Sequence, residues 1–151
     1  GFSFSLVTPS TDMHQLSAQA IKSDLAKIGV TVTIKIVDPS AWYEIVFKKK
    51  DFDATLQEHV NDRDLIWYGN PDFYWGYNNP DVQQWVRDAQ SAATADEQTA
   101  VYKKIGRKIA EEAAGSWLFL YPQLRVSSSN VTGYPANGKN STFFAAGIEK
   151  R

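Results

Sequence analysis

The chain has 151 residues, a formal net charge of -1, no cysteine and 22% charged residues. Length and composition suit one ordinary soluble globular domain. The near-zero charge argues against a nucleic-acid or anionic-membrane partner held by bulk charge, and the lack of cysteine excludes disulfides, thiolate metal sites and Cys nucleophiles.

No apolar run is long enough to span a bilayer. The chain opens on Phe2-Ser3-Phe4-Ser5-Leu6-Val7, whose alternation predicts a strand, with neither start methionine nor signal peptide before it. An opening of that kind fits an excised domain. Thr8 to Asp12 are turn and cap residues, and Met13, Leu16, Ala20, Ile21, Leu25 and Ile28 are spaced for one apolar helix face, closed by Gly29. Val30–Val37 is β-branched and alternating, and predicts a strand. Asp38-Pro39 starts a short helix carrying Trp42, Ile45, Val46 and Phe47. Its last residues, Lys48-Lys49-Lys50, suit the negative end of a helix dipole and read as a solvated turn. Phe52–Val60 is expected to be the third strand, and the order β-α-β-α-β implies right-handed crossovers and a parallel sheet.

From Phe52 to Asn79 the chain then breaks into a long polar and aromatic loop. Connections of this length are uncommon in a compact domain, and Trp67, Tyr68, Phe73, Tyr74, Trp75 and Tyr77 argue that this one is ordered, with aromatic faces available for core packing or for a ligand. Asn79-Pro80 caps a helix with Val82, Trp85, Val86 and Ala89 inward. Thr94-Ala95-Asp96-Glu97 is a capping box for another, with Val101, Ile105, Ile109 and Ala113 on its apolar face and Gly115 beyond. Trp117–Tyr121 reads as a buried strand stopped by Pro122, and Leu124-Arg125-Val126 as a further strand. Ser127 to Lys139 has the composition of a surface loop, and Phe143-Phe144 would return to the sheet or meet a neighbour.

Glu58, His59, Asp62 and Asp64 invite a metal or acid–base reading. On a strand, however, Glu58 and His59 face opposite ways, and the second histidine, His14, is distant in sequence. No GxSxG elbow, HExxH pair or paired-carboxylate frame is present. We therefore expect no catalysis, no metal and no cofactor; a hydrolase or metal-dependent enzyme using Glu58, His59 and Asp62 is the alternative from another class. Asp62 is either a ligand-facing carboxylate or the oxygen of an Asx turn. Arg63 pairs with a neighbouring acid or with a ligand carboxylate. Trp67 and Tyr68 offer a stacking wall, whereas Phe73, Trp75 and Tyr77 suit packing beneath the loop, and Trp42 and Trp85 suit the core.

The order and spacing of several segments carry a family resemblance. They are Ala20 to Val30, Val32 to Ile36, Asp51-Phe52-Asp53, Asn79 to Val82, Tyr102 to Ile105, Ile109 to Glu112, Trp117 to Pro122 and Val131 to Tyr134. Together the chain resembles the C-terminal lobe of extracytoplasmic solute-binding proteins of the oligopeptide/dipeptide type, which feed ABC importers. The resemblance implies an α/β fold, a mostly parallel sheet flanked by helices, with residues 1–151 as a single domain forming one lobe of two. It implies capture of a short peptide, or another small solute, between this lobe and an N-terminal one, for delivery to ABC permease subunits. Location would be extracytoplasmic, in a periplasm or as a cell-surface lipoprotein. In peptide-binding relatives a carboxylate after the third strand pairs with the ligand's α-amino group, and an ungapped match from Asp53 places Asp62 there. Where relatives carry a small residue and a tryptophan before that carboxylate, this chain has Glu58 and His59. The expected ligand-binding set is Asp62, His59, Glu58, Arg63 and Trp67. An oligosaccharide, stacked on the aromatic loop, is the alternative ligand.

Overall fold

The computed structural model describes residues 1–60, 63–122, 124, 126–134 and 145–151. It divides into two compact units, Gly1–Ala114 and Gly115–Arg151.

The first unit is built on a parallel sheet. Strand β1 (Ser3–Pro9) lies centrally, between β2 (Thr31–Val37) and β3 (Ala54–Thr55). Register runs from Ser3↔Thr31 to Pro9↔Val37 on one side and pairs Leu6↔Ala54 and Val7↔Thr55 on the other. Because neighbouring strand residues face opposite sides, Leu6 and Val7 enter different cores. Leu6 packs with Val30, Val32 and Ala18 beneath helix α1 (Asp12–Ala26). Val7 packs with Trp42, Val46 and Tyr74.

The buried face of α1 differs from the expected one. His14 and Ala18 are buried and Ile21 and Leu25 pack with them, whereas Leu16 and Ile28 are each 73% exposed. The helix is turned so that its one polar inward residue, His14, meets the loop after β3. Gly29 ends the helix as expected, at φ 80, with its own N–H donated to Ala26 O and that of Val30 to Leu25 O.

Helix α2 (Pro39–Trp42) is capped by Asp38, whose Oδ1 accepts from the Ser40 and Ala41 N–H groups. It continues as one wide π-helical stretch, Tyr43–Lys48, which brings Val46 and Phe47 onto the sheet. The third strand is far shorter than the expected Phe52–Val60. Asp53 Oδ2 takes the Ser5 N–H at 2.9 Å and the Ser5 hydroxyl at 2.8 Å before the strand starts. After it, Leu56 N–H reaches Val7 O, but the register then brings Gln57 opposite Pro9, which has no N–H to offer. The ladder ends there.

Helices α3 (Pro80–Ser91) and α4 (Ala95–Glu111) form a hairpin over a short 3-10 helix, Asp64–Gly69. Their core is Val82, Val86, Ile105 and Ile109 with Tyr68. Asn79 caps α3, and the Thr94–Glu97 capping box opens α4, both as the sequence predicts. Helix α4 ends two residues before the expected Ala113. Ala113 takes a left-handed conformation at φ 52, with Ala113 N–H on Ala110 O and Ala114 N–H on Ile109 O. This is a Schellman turn with alanine where glycine is usual.

In the second unit, β4 (Val131–Thr132) pairs antiparallel with β5 (Glu149–Lys150). The expected buried strand Trp117–Tyr121 is not formed, and its residues range from 48% to 97% exposed. Leu124 and Val126 are also exposed and outside any strand. An apolar run becomes a buried strand only when ladders and a covering layer are available, and no described ladder includes this one. Phe143 and Phe144 lie outside the described residues.

Candidate functional site

The loop after β3 is held by two histidines pulling on consecutive residues. Glu58 donates its backbone N–H to His14 Nε2 at 3.1 Å and shares it with Gln57 Oε1 at 3.2 Å. The ring of the next residue, His59, turns the other way: its Nε2 lies 2.7 Å from Tyr74 Oη, and it stands 5.3 Å from the Trp75 ring. Asp64 Oδ2 approaches His59 Nδ1 at 3.0 Å, a close polar contact whose angle falls outside a formal hydrogen bond. Burial lifts the Tyr74 hydroxyl far above its ordinary range, helped by Tyr68 and Asp64. The phenol therefore keeps its proton, and with Asp64 favouring a proton on Nδ1 the natural arrangement is Tyr74 O–H donating to His59 Nε2.

Glu58 and His59 are not in a strand: the Glu58 main chain meets His14, and the His59 ring meets Tyr74. Both are half-buried. Asp62, the carboxylate assigned by resemblance, lies outside the described residues. Arg63 is exposed in a left-handed conformation at φ 59 and starts the 3-10 helix. Trp67 lies on that helix, half-buried, with its ring stacked on Phe73 at 4.9 Å and 22°. Its indole N–H is buried and has no hydrogen-bond partner among the described residues, and the same is true of Trp75. Among the described residues no three His, Asp or Glu side chains converge to hold a metal ion.

The aromatic residues expected to pack beneath the loop do so, but they are shared between two cores. Phe73 and Trp75 join the Val7–Trp42–Tyr74 cluster, while Trp75 and Tyr77 also join the hairpin core. Trp75 stacks on Tyr68 at 4.4 Å and meets Phe73 edge-on at 4.5 Å. Trp42 is buried, and its Nε1–H donates to Thr55 Oγ1 at 2.9 Å; Trp85 packs on the hairpin core under the Lys104 ammonium, 3.7 Å above its ring. The loop's far end is fixed by Glu112, which accepts from Tyr77 Oη at 2.5 Å and from Asn79 Nδ2, and pairs with Lys108 at 2.8 Å. Sequence reasoning missed Tyr74 as the partner of His59 and His14 as the partner of Glu58. The signal for the second was present: a histidine on a helix face otherwise made of small and apolar residues.

Together these contacts set the described parts of a lip, residues 58–60 and 63–67, on an aromatic base. Within those parts Arg63 is exposed, and Glu58, His59 and Trp67 are half-buried.

No family model matches the chain. The oligopeptide-binding protein AppA of Bacillus subtilis is 27% identical over 94% of the chain, which spans only 28% of that relative. The structure of AppA in complex with a nonapeptide superposes with a TM-score of 0.65 at 28% identity, over 75% of this chain and 24% of that one. The murein tripeptide binding protein MppA of Escherichia coli shares the fold with a TM-score of 0.82 at 20% identity, over 99% of this chain and 31% of that one. A dipeptide binding protein from Pseudoalteromonas sp. SM9913, in complex with Met-Leu, shares it at 0.71 and 19% identity, over 100% and 32%. In sequence the chain is similar to an oligopeptide-binding protein and in fold to peptide-binding proteins of known structure, and it spans less than a third of the curated relative that it matches.

Proposed function

We propose that this chain, residues 1–151, is one lobe of a two-lobed binding protein that captures a short peptide and presents it to an ABC permease without altering it. The observation that carries this reading is the similarity to an oligopeptide-binding protein along nearly the whole chain. The partner lobe would be the N-terminal one, and the protein would work outside the cytoplasm, in a periplasm or tethered at the cell surface as a lipoprotein.

In this reading the lip supplies this lobe's share of the site. Asp62 pairs with the peptide's α-ammonium, which on lobe closure would otherwise be a buried unpaired charge costing several kcal/mol. Arg63, exposed, and Glu58, half-buried, contribute charge of either sign, and Trp67 provides an apolar wall. His59 anchors the lip from below. Peptide main chain would pair with loop amides and carbonyls in strand-like fashion, and hinge closure would complete the site.

A thermal-shift and tryptophan-fluorescence screen of the two-lobed protein tests the reading. Di- to pentapeptides are expected to raise the melting temperature. A response to oligosaccharides with none to peptides would overturn the ligand assignment, and consumption of the peptide would overturn the non-catalytic role.

A further inference from the structure

His14 is a buried titratable group that the proposed site leaves unused, 5% exposed at the start of α1. Both of its ring nitrogens are engaged. Nδ1 lies 2.5 Å from Thr11 Oγ1, and Nε2 lies 3.1 Å from the Glu58 nitrogen, 44 residues away in sequence. A backbone amide can only donate, so Nε2 carries no proton and accepts. In the neutral ring the proton then sits on Nδ1 and is donated to the Thr11 hydroxyl. Thr11 is the N-cap residue of α1, yet its side chain caps no helix N–H. Its hydroxyl orients the imidazole instead.

We propose that neutral His14 is a positioning residue, a latch fixing the main chain of the lip at Glu58 to the first turn of α1, and that one proton on its ring opens it. Protonation would place an N–H on Nε2 against the Glu58 N–H, donor facing donor. The imidazolium would then be matched by the Glu58 carboxylate, so Glu58 exchanges a main-chain contact for a side-chain one and the lip shifts. Burial is the largest influence on the ring and holds its pKa below 6.5, while the Glu58 carboxylate and the Gln57 side-chain amide from the loop oppose it. From its own helix the ring meets the neutral Thr11 hydroxyl. The latch is therefore closed at neutral pH and opens in acid. Its effect on solute capture rests on the reading of the lip as ligand-facing; the latch itself does not.

Long-range ¹H–¹⁵N correlation of this chain across a pH titration, read beside hydrogen exchange at the Glu58 amide, tests it. The expected result is an Nδ1–H tautomer at neutral pH and a midpoint below 6.5. Protection at Glu58, corrected for intrinsic exchange, should fall on the order of tenfold as the ring titrates. His14→Gln, whose amide oxygen can accept the same N–H, should keep Glu58 protected and remove the pH dependence. An Nε2–H tautomer at neutral pH, or Glu58 protection indifferent to the ring's titration, would overturn the latch. Neither readout involves a ligand, so the latch can fail while the binding function stands, and the reverse.

Discussion

The His59 ring and the Tyr74 hydroxyl meet at 2.7 Å, with the two rings stacked at a centroid distance of 5.9 Å. Tyr74 also stands edge-on to Trp42 at 5.6 Å, so a single hydroxyl joins the lip to the aromatic core above β1. Tyr74→Phe removes the hydroxyl and leaves the packing. It should cost about 0.5–1.5 kcal/mol in urea unfolding, the worth of one hydrogen bond. Tyr74→Ala empties the core and should cost about 3–5 kcal/mol. Equal stability of Tyr74→Phe and the parent would mean that the contact does not hold the lip.

Gly69 closes the short 3-10 helix against α3. A methyl group there would lie 2.9 Å from Cβ and Cγ2 of Val86, closer than carbon atoms approach one another. Gly69→Ala should therefore destabilise by about 1–3 kcal/mol, the usual cost of overpacking. Adding Val86→Ala should recover part of that loss in the same unfolding assay. Additive effects of the two changes would contradict the close approach.

Glu112 ties α4 to the end of the loop. The Lys108 ammonium first, then the Tyr77 hydroxyl and the Asn79 amide, hold its carboxyl down at about 2, against an ordinary 4.5. A depressed carboxyl gives stability that is present above the unfolded value and lost as pH falls through the folded one. The melting temperature should consequently drop between about pH 4.5 and 2. Glu112→Gln should flatten that part of the slope, and an unchanged slope would count against the tie.

At the end of the same helix, Ala113 occupies the left-handed position of a Schellman turn at φ 52. Alanine is strained there and glycine is not, so Ala113→Gly should stabilise by about 0.5–1 kcal/mol, reversing the usual sign of that substitution. A loss measured by chemical denaturation would show that the turn relaxes differently.

The parts of the fold that were legible in sequence are those governed by local chemistry. Gly29, Asp38-Pro39, Asn79-Pro80 and Thr94–Glu97 end or start helices through their own backbone freedom or side-chain oxygens, and all do so as read. What local pattern could not supply was pairing at a distance. Phe52–Val60 alternates well enough for a long strand, but its length is decided by Pro9 and by Asp53 capturing Ser5. Trp117–Tyr121 is apolar enough for a core strand, yet no described ladder pairs with it. At the site, the composition of the loop marked it as ordered and aromatic. The spacing of His14 with Ala18, Ile21 and Leu25 marks the histidine as inward-facing, but that it meets Glu58, and that His59 meets Tyr74, depends on how the loop folds back, which no spacing along the chain encodes.

Isothermal titration of a free-amine tripeptide into the two-lobed protein, beside its Asp62→Asn variant, addresses the binding role of the lip. The parent should bind, and losing the carboxylate that pairs the α-ammonium should weaken binding by about 2 kcal/mol or more. Equal affinities in the two proteins, or no peptide heat where an oligosaccharide gives one, would contradict it.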